Sequence, residues 1–181
     1  KESQFSPQKC NLDLLCSNQF HTDDIFSIEV DPLSRFFVTG SDDKTMKIIS
    51  LPFFKEIITL EGHQDVISNI FINYDTSLLL SSSHDSTVRI WSLNNGQCLS
   101  VLSNITTSDI HYALFSPNGK LIAAACEDGS FFIWKTEDAL EQKPPFYQLK
   151  SPELTPIVWL SFSPGSEFLC YVAEPNRVNI L

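Results

Sequence analysis

The four histidines, His21, His63, His84 and His111, are the side chains in this sequence best suited to general acid–base chemistry, because their charge changes near neutral pH. A catalytic histidine needs companions, such as a Ser or Cys nucleophile in a recognisable motif, a phosphate-binding loop or further metal ligands at suitable spacing. The sequence places no such motif beside any of the four. We therefore expect no enzymatic activity, no cofactor and no metal site, and we assign the histidines structural roles.

Two of these histidines belong to an internal repeat. Sliding the sequence along itself by 42 residues places His21 on His63 and Asp43 on Asp85, within a match too long to arise by chance. The residues that coincide are His21, Asp23, Ile25, Ile28, Gly40, Ser41, Asp43, Thr45, Lys47 and Ile48 with His63, Asp65, Ile67, Ile70, Ser82, Ser83, Asp85, Thr87, Arg89 and Ile90.

The repeat continues with weaker matches toward the C-terminus. A shift of 43 residues places Asp85 on Asp128 and Trp91 on Trp134, and a further shift of 47 places Trp134 on Leu181. Four tandem units follow from these shifts. Their cores are residues 21–49, 63–91, 106–134 and 153–181.

The period and the internal pattern of one unit predict the fold class. In the second unit, short apolar or β-branched runs between Ile67 and Leu102 have strand length and are separated by turn residues such as Asn94-Asn95-Gly96. A period of about 40 to 45 residues with a Gly-His opening and a Trp close is typical of one four-stranded propeller blade. We predict an all-β protein, a β-propeller of four-stranded antiparallel blades.

The segments around the repeats complete the predicted organisation. Residues 1–9 read as a polar tail and residues 10–18 as an outer strand, so the propeller segment is 10–181. The connection from Lys135 to Pro152 reads as a mobile polar excursion that returns to a strand at Phe146–Leu149. Either four units close on themselves, with 10–18 completing the last blade, or they belong to a larger ring. Because an open ring exposes strand edges, we expect the remaining blades to come from further sequence or from a partner chain.

Composition excludes several classes of partner. A net charge of −10 opposes binding to phosphate backbones, so we expect no direct nucleic-acid contact and interpret the phenylalanines as core residues. No apolar run approaches membrane-spanning length, and the first residues lack signal-peptide order. The five cysteines are odd in number and form no C-x-x-C pair, which favours reduced thiols in a nuclear or cytosolic protein.

The Gly-His opening, the turn aspartate and the closing tryptophan resemble those of the WD-repeat (WD40) family. This resemblance implies a ring of seven or eight blades and, in each blade, a buried tetrad of His, Ser or Thr, Asp and Trp. The second unit has all four residues, whereas Ile49 replaces the Trp in the first unit, and Thr106 and Ala124 replace the His and Ser in the third. The residues that match the tetrad are His63, Ser81, Asp85 and Trp91, then His21, Thr39 and Asp43, and finally Asp128 and Trp134.

The sequence more closely resembles the bromodomain-and-WD-repeat proteins, a group that includes the pleckstrin-homology-domain-interacting proteins. The features that carry this resemblance are the turn at Asn73-Tyr74-Asp75, the turn at Gly40–Asp43 and the long last period. It implies a nuclear, chromatin-associated scaffold without catalytic activity. It also implies an alternative, a structural subunit or a substrate receptor of a cullin ubiquitin ligase. The docking signature of such receptors is Trp-Asp-x-Arg, whereas this sequence has Trp91-Ser92-Leu93-Asn94.

The acidic residues predict a partner class. In a propeller, the connections before each first strand and the turns between second and third strands open on one face, and here they are mainly acidic. Such a face attracts proteins or basic peptides, histone tails among them. The alternative is that these residues only cap turns and keep the protein dissolved. The predicted partner-binding face consists of Asp23, Asp24, Asp42, Glu61, Asp65, Asp109 and Glu127.

Overall fold

The computed structural model describes residues 17–150, 155–174 and 177–181, and these residues are mainly strands and turns. One short helix, α1 (Thr136–Leu140), is the exception within the described part. The strands are β1 (Ile25–Val30), β2 (Phe36–Ser41), β3 (Thr45–Ser50), β4 (Lys55–Glu61), β5 (Ile67–Ile72), β6 (Leu78–Ser83), β7 (Val88–Ser92), β8 (Cys98–Leu102), β9 (Ile110–Phe115), β10 (Leu121–Cys126), β11 (Ser130–Lys135), β12 (Tyr147–Lys150), β13 (Trp159–Phe162), β14 (Leu169–Glu174) and β15 (Arg177–Ile180).

These strands form four separate antiparallel sheets in chain order. Blades one, two and three are the four-stranded sheets β1–β4, β5–β8 and β9–β12, and blade four is the three-stranded sheet β13–β15. In each sheet, neighbouring strands are also consecutive in the sequence, so every blade is a simple meander. The predicted all-β class and antiparallel blades are confirmed. Contacts between blades run from β1 to β5, from β5 to β9 and from β9 to β13, and closure of blade four onto blade one is not seen among the described residues.

Hydrophobic clusters between adjacent blades hold the segment together. Between blades one and two, Met46 and Ile48 pack with Ile67 and Trp91. Two similar clusters join blade two to blade three and blade three to blade four. Because the inner sheets pack against a neighbouring sheet on both faces, their strands read as nearly continuous apolar runs with tight turns between them.

The turns between second and third strands have a shared geometry. Lys44, Ser86 and Gly129 occupy equivalent positions in blades one to three, with φ angles of 70°, 63° and 75°. Preceding aspartates stabilise these turns, because Asp43 and Asp85 accept hydrogen bonds from the backbone N–H groups two residues later. The turns therefore place Asp43, Asp85 and Asp128 at the same point of blades one to three.

The first and last blades carry exposed apolar side chains. On β1, Phe26 is 59% and Ile28 61% exposed, and in blade four Trp159 is 57% and Ile180 66% exposed. The inner blades instead bury equivalent positions, such as Ile67 and Ile70, against a neighbouring sheet. The two ends of the described arc thus present the kind of surface that adjacent blades cover.

The long connection between β11 and β12 differs from the sequence prediction. Instead of a wholly irregular polar excursion it contains α1, whose Ala139 is fully buried and whose Ala139 carbonyl accepts a 2.6 Å hydrogen bond from Ser100 Oγ of β8. The strand that follows begins at Tyr147, one residue later than predicted. No helix among the described residues is long and apolar enough to cross a membrane. The predicted tail at 1–9 and nearly all of the predicted outer strand at 10–18 lie outside the described residues.

Candidate functional site

Blade two contains a continuous hydrogen-bonded network of four side chains. His63 precedes β5, Ser81 lies on β6, Asp85 in the β6–β7 turn and Trp91 on β7. His63 Nδ1 lies 2.8 Å from Asp85 Oδ2, and His63 Nε2 lies 2.7 Å from Ser81 Oγ. Trp91 Nε1 donates to Ser81 Oγ at 2.9 Å. A carboxylate only accepts, so Nδ1 carries the histidine proton and Nε2 accepts from the serine hydroxyl.

Burial and hydrogen bonding set the charges of this network. Burial lowers the pKa of His63, and the neighbouring Asp85 offsets only part of that effect. Burial alone would raise the pKa of Asp85, but hydrogen bonds from His63 and Thr87 leave that pKa well below its ordinary value. The result is a neutral imidazole that donates to an ionised carboxylate and accepts from Ser81, whose side chain is fully buried within the blade.

Blade one has the same network without its tryptophan. His21 Nδ1 lies 2.8 Å from Asp43 Oδ2, and His21 Nε2 lies 2.7 Å from Thr39 Oγ1. Ile49 fills the tryptophan position and is fully buried. Although burial opposes ionisation, hydrogen bonds from Thr45 and His21 lower the pKa of Asp43 to about 2.

Blade three does not join its two predicted tetrad residues. Asp128 accepts a 3.0 Å hydrogen bond from the backbone N–H of Ser130 and lies 3.2 Å from Lys150 Nζ. The Trp134 indole N–H is buried and has no acceptor among the described residues. Ala124, at the position of Ser81, has no hydroxyl oxygen to accept a hydrogen bond from this indole N–H. The network is therefore replaced by packing.

The remaining two histidines lie where blades two and three meet. His84, in the β6–β7 turn, has its Nδ1 3.6 Å from Asp109 Oδ2, and His111, on β9, has its Nε2 2.5 Å from Glu127 Oε2. The two imidazole rings are 5.6 Å apart in an edge-to-face arrangement. Within the described part of the chain, no group of His, Cys, Asp and Glu side chains has the geometry of a metal site.

The predicted acidic residues lie at one end of the blades. Backbone hydrogen bonds join the connection before each first strand to the turn after each second strand: Asp42 N to Asp24 O, His84 N to Val66 O, and Glu127 N to Asp109 O. We call this end the acidic face. Five of its predicted residues are exposed and two are half-buried. The exposed residues are Asp23, Asp24, Glu61, Asp65 and Glu127, and the half-buried ones are Asp42 and Asp109.

Several of these carboxylates also have local structural partners. Asp23 Oδ1 accepts from the backbone N–H of Asp24, and Asp65 Oδ1 accepts from that of Val66. These bonds are what the turn-capping alternative requires. The cations nearby are few: Lys44 is exposed, while Lys150 is engaged with Asp128.

Two adjoining cavities between blades two and three were not predicted from the sequence. The carboxylate cavity, of about 770 Å³, is lined by Asp85, Thr87, Thr106, Asp128, Gln148 and Lys150 among others. The aromatic cavity, of about 460 Å³, is lined by Ile105, Phe132, Trp134, Gln142, Pro144 and Gln148 among others. The loop around Ile105 forms a wall of both. A sequence pattern carries no direct signal for such spaces, because they depend on which side chains meet across two blades.

Comparison with known families identifies the repeat. The model described as "WD domain, G-beta repeat" matches residues 13–50, 54–92 and 96–135. These matches cover more than half of the chain. Each contains one predicted core together with residues that precede it.

Relatives with different roles share this similarity. A bromodomain and WD repeat-containing protein of Dictyostelium discoideum is 30% identical over 65% of this chain and 6% of its own length. The small ribosomal subunit protein RACK1y of Oryza sativa subsp. japonica is 34% identical over 71% of this chain and 39% of its own length. Protein HIR1 of Cryptococcus neoformans is 29% identical over 93% of this chain and 21% of its own length. In each case the matched part is less than half of the relative.

Proposed function

Because the chain belongs to the WD40 repeat family, whose members generally serve as protein-interaction scaffolds, we propose that it is a non-catalytic scaffold that binds basic peptide segments on its acidic face. The observation that carries this proposal is the position of seven acidic side chains at one end of three neighbouring blades. No cofactor is required for such a role.

Electrostatics favours a Lys- or Arg-rich ligand. Carboxylates of one sign on a shared surface raise the local concentration of cationic ligands and speed their encounter with the protein. Each exposed attraction is small and screened by salt. The expected complex is therefore weak, forms quickly and weakens as ionic strength rises.

Charge reversal tests this proposal. The variant Asp24→Lys, Asp65→Lys, Asp109→Lys changes one residue from each of three connections. We expect the association rate of basic peptides to fall by about tenfold or more, because the face no longer steers them. Stopped-flow measurements at low and moderate salt, with histone-tail peptides in the panel, give the rates.

A matched control distinguishes an effect of the acidic face from an effect of the overall net charge. The variant Asp75→Lys, Glu137→Lys, Glu167→Lys makes the same change in net charge at exposed positions away from the acidic face. Equal slowing by both triple variants would attribute the effect to net charge. Binding of no basic peptide by the unmodified protein would leave the acidic residues with their turn-capping role alone.

We further propose a nuclear, chromatin-associated setting. The bromodomain in the name of one relative supports this setting, whereas the ribosomal subunit in the name of another supports the cytoplasmic alternative. The net charge of −10 supports protein partners over nucleic acid. Localisation of the tagged full-length protein by microscopy distinguishes the two compartments.

A second candidate function rests on the exposed apolar surfaces of the outer blades. Phe26 and Ile28 of blade one and Trp159 and Ile180 of blade four present apolar area that further blades or a partner subunit would cover. Such a chain would act as a structural subunit or a substrate receptor, for example in a cullin ubiquitin ligase, without a peptide ligand of its own. Contacts of this kind would be apolar and insensitive to salt, unlike binding at the acidic face.

A further inference from the structure

The end of the blades opposite the acidic face carries the most exposed large apolar side chains among the described residues. In a meander, the β1–β2 and β3–β4 turns lie at one end of the sheet and the β2–β3 turn lies at the other. Leu33 in the β1–β2 turn is 71% exposed, and Phe53 in the β3–β4 turn and Tyr74 in the β5–β6 turn are each 82% exposed. We call these three side chains the apolar patch.

The turns themselves do not require these side chains. The β1–β2 turn and its equivalents share a positive φ at one position, which is Ser34, Thr76, Gly119 and Ser166 in blades one to four. The two residues before that position are Pro32-Leu33, Tyr74-Asp75, Pro117-Asn118 and Pro164-Gly165. Blades three and four thus form the same turn without a large apolar side chain after the proline. Blade two likewise has the polar Asn94-Asn95-Gly96 where blade one has Phe53. Apolar side chains that a turn does not need and that water contacts indicate an interaction surface.

Arg35 joins the three turns that carry the apolar patch. Its Nε and Nη2 donate to the Asp31 carboxylate of the β1–β2 turn at 2.8 and 2.9 Å. Its Nη2 also donates to Thr76 Oγ1 in the β5–β6 turn at 2.7 Å. Its carbonyl oxygen accepts a 2.8 Å hydrogen bond from the backbone N–H of Leu51, at the start of the β3–β4 turn. The patch is therefore one surface that spans blades one and two.

The charged groups that this surface offers to a partner are cationic. The Asp31 side chain is fully buried, whereas the side chain of Arg35 that covers it is 51% exposed. The hydrogen bonds of Arg35 within the described residues use Nε and Nη2, so Nη1 is left to donate to a further acceptor. Lys55, next to the β3–β4 turn, is exposed as well. Two exposed carboxylates nearby already accept hydrogen bonds, Asp75 from Ser77 and Glu56 from Lys47.

We propose that the apolar patch docks a segment of a partner protein that carries apolar or aromatic side chains and a carboxylate. The apolar side chains cover Leu33, Phe53 and Tyr74, and the carboxylate accepts from Arg35 Nη1. Aromatic residues and arginine are enriched in this way at the centres of protein interfaces. This partner differs in chemistry from the basic peptides of the acidic face, and the two surfaces lie at opposite ends of the blades.

The chemistry of the patch favours a different protein over a second copy of this chain. A symmetric contact of the patch with itself would bring the two Arg35 guanidinium groups together, and their like charges oppose that contact. A carboxylate of another protein meets no such repulsion.

A random peptide library displayed on phage tests the proposal. Selection on the unmodified chain should enrich peptides that combine apolar residues with Asp or Glu. The most enriched peptide, labelled with fluorescein, then gives affinities by anisotropy. In the triple variant Leu33→Ser, Phe53→Ser, Tyr74→Ser its affinity should fall about tenfold or more, because interface energy is concentrated in such side chains. The melting temperature should change little, since all three side chains are exposed.

A matched control distinguishes the patch from the other exposed apolar surfaces. The variant Phe26→Ser, Ile28→Ser, Trp159→Ser also removes one aliphatic and two aromatic side chains that are more than half exposed, but at the two ends of the arc. It should leave the affinity of the selected peptide unchanged.

A pair of single charge changes tests the acidic part of the ligand without altering the patch itself. Lys55→Glu should weaken the selected peptide about twofold or more, because it places a carboxylate beside the one that the peptide brings. Lys44 is also exposed but lies in the β2–β3 turn, at the acidic face. Lys44→Glu is therefore the matched control and should have no effect.

The outcomes separate this surface from its alternatives. Loss of binding in the Leu33, Phe53, Tyr74 variant alone supports the proposal. Equal loss in the matched apolar control, or enrichment of no peptide that the patch variant loses, would overturn it. Self-association that the patch variant abolishes and the matched control does not would identify a second copy as the occupant and would also overturn it. The Asp24, Asp65, Asp109 reversal tests the acidic face independently, because it should leave the selected peptide bound.

Discussion

One carboxylate, Asp85, connects three parts of blade two, and the residue at the same position in blade three does not. Asp85 accepts hydrogen bonds from the His63 ring, from the backbone of Gln64 and from both the backbone and the side chain of Thr87. Asp128 contacts its own turn and Lys150. Blade three has Thr106 at the histidine position and Ala124 at the serine position, so Asp128 has no imidazole to accept from.

We expect Asp85→Ala to lower the free energy of unfolding by about 1 to 3 kcal/mol, because it leaves the buried His63 N–H without its acceptor. Asp128→Ala should cost less, because it removes a turn hydrogen bond and a contact with the exposed Lys150 but leaves no buried histidine without its acceptor. Urea unfolding of the two variants and the unmodified protein measures the difference. Similar losses for both would contradict a special role for the blade-two network.

At this scale the sequence carried two kinds of information. The repeat placed His63 and Asp85 in register, and the resemblance to WD repeats implied one hydrogen-bonded tetrad of these two residues with Ser81 and Trp91. The sequence also showed that blade three has no histidine and no serine at the tetrad positions. The orphaned Trp134 indole and the aromatic cavity were not predicted, because each depends on what lies across the interface between two sheets.

At the scale of elements, blades two and three differ in how acid should affect them. His63 has a lowered pKa in the folded state, so the unfolded chain binds its proton more readily. Stability linked to His63 is therefore complete above its ordinary pKa of about 6.5 and decreases as the pH falls below that value. The lowered pKa values of Asp85 and Asp43 act in the same direction at lower pH, with the latter near 2.

We therefore expect amide hydrogen exchange in the loop before β5 and in the β6–β7 turn to rise as the pH falls from about 7 to about 5, after correction for intrinsic exchange rates. His63→Gln should remove this additional acid dependence, even though it lowers stability at every pH. Mass spectrometry of both proteins over the pH range makes the comparison. An unchanged acid dependence in His63→Gln would assign the effect to groups other than His63.

The sequence did not predict helix α1, and the reasons are physical. Five residues are too few to establish a helical period, and Thr136–Leu140 begins next to the exposed, charged Lys135. What fixes the helix is tertiary, since Ala139 is buried and its carbonyl is bound by Ser100 of the previous blade. The strands were predictable because their apolar runs are bounded by turn residues in the sequence itself.

At the scale of the whole molecule, the exposed apolar surfaces at the two ends of the arc predict association. Purified residues 1–181 should form dimers or larger species, because water contact with side chains such as Phe26 and Trp159 is unfavourable. Light scattering after size-exclusion chromatography measures the mass. Changing Phe26 and Trp159 together to Ser should reduce this association. A cooperative monomer in the unmodified protein would favour closure of the four blades on themselves.

Blade four keeps its sheet without any residue of the histidine-centred network in its described part. Leu160 and Leu169 pack on blade three, the Phe131 and Tyr171 rings stack at 5.8 Å, and Tyr112 and Trp159 lie 5.5 Å apart. Apolar and aromatic contacts with a neighbour are thus enough to hold a blade in position, while the family model's matches end at residue 135. Contacts of this kind need apolar volume more than particular residue identities, so a repeat can lack the tetrad motif and still form a blade. Motif counts will accordingly underestimate the number of blades wherever a blade is held by packing against its neighbour.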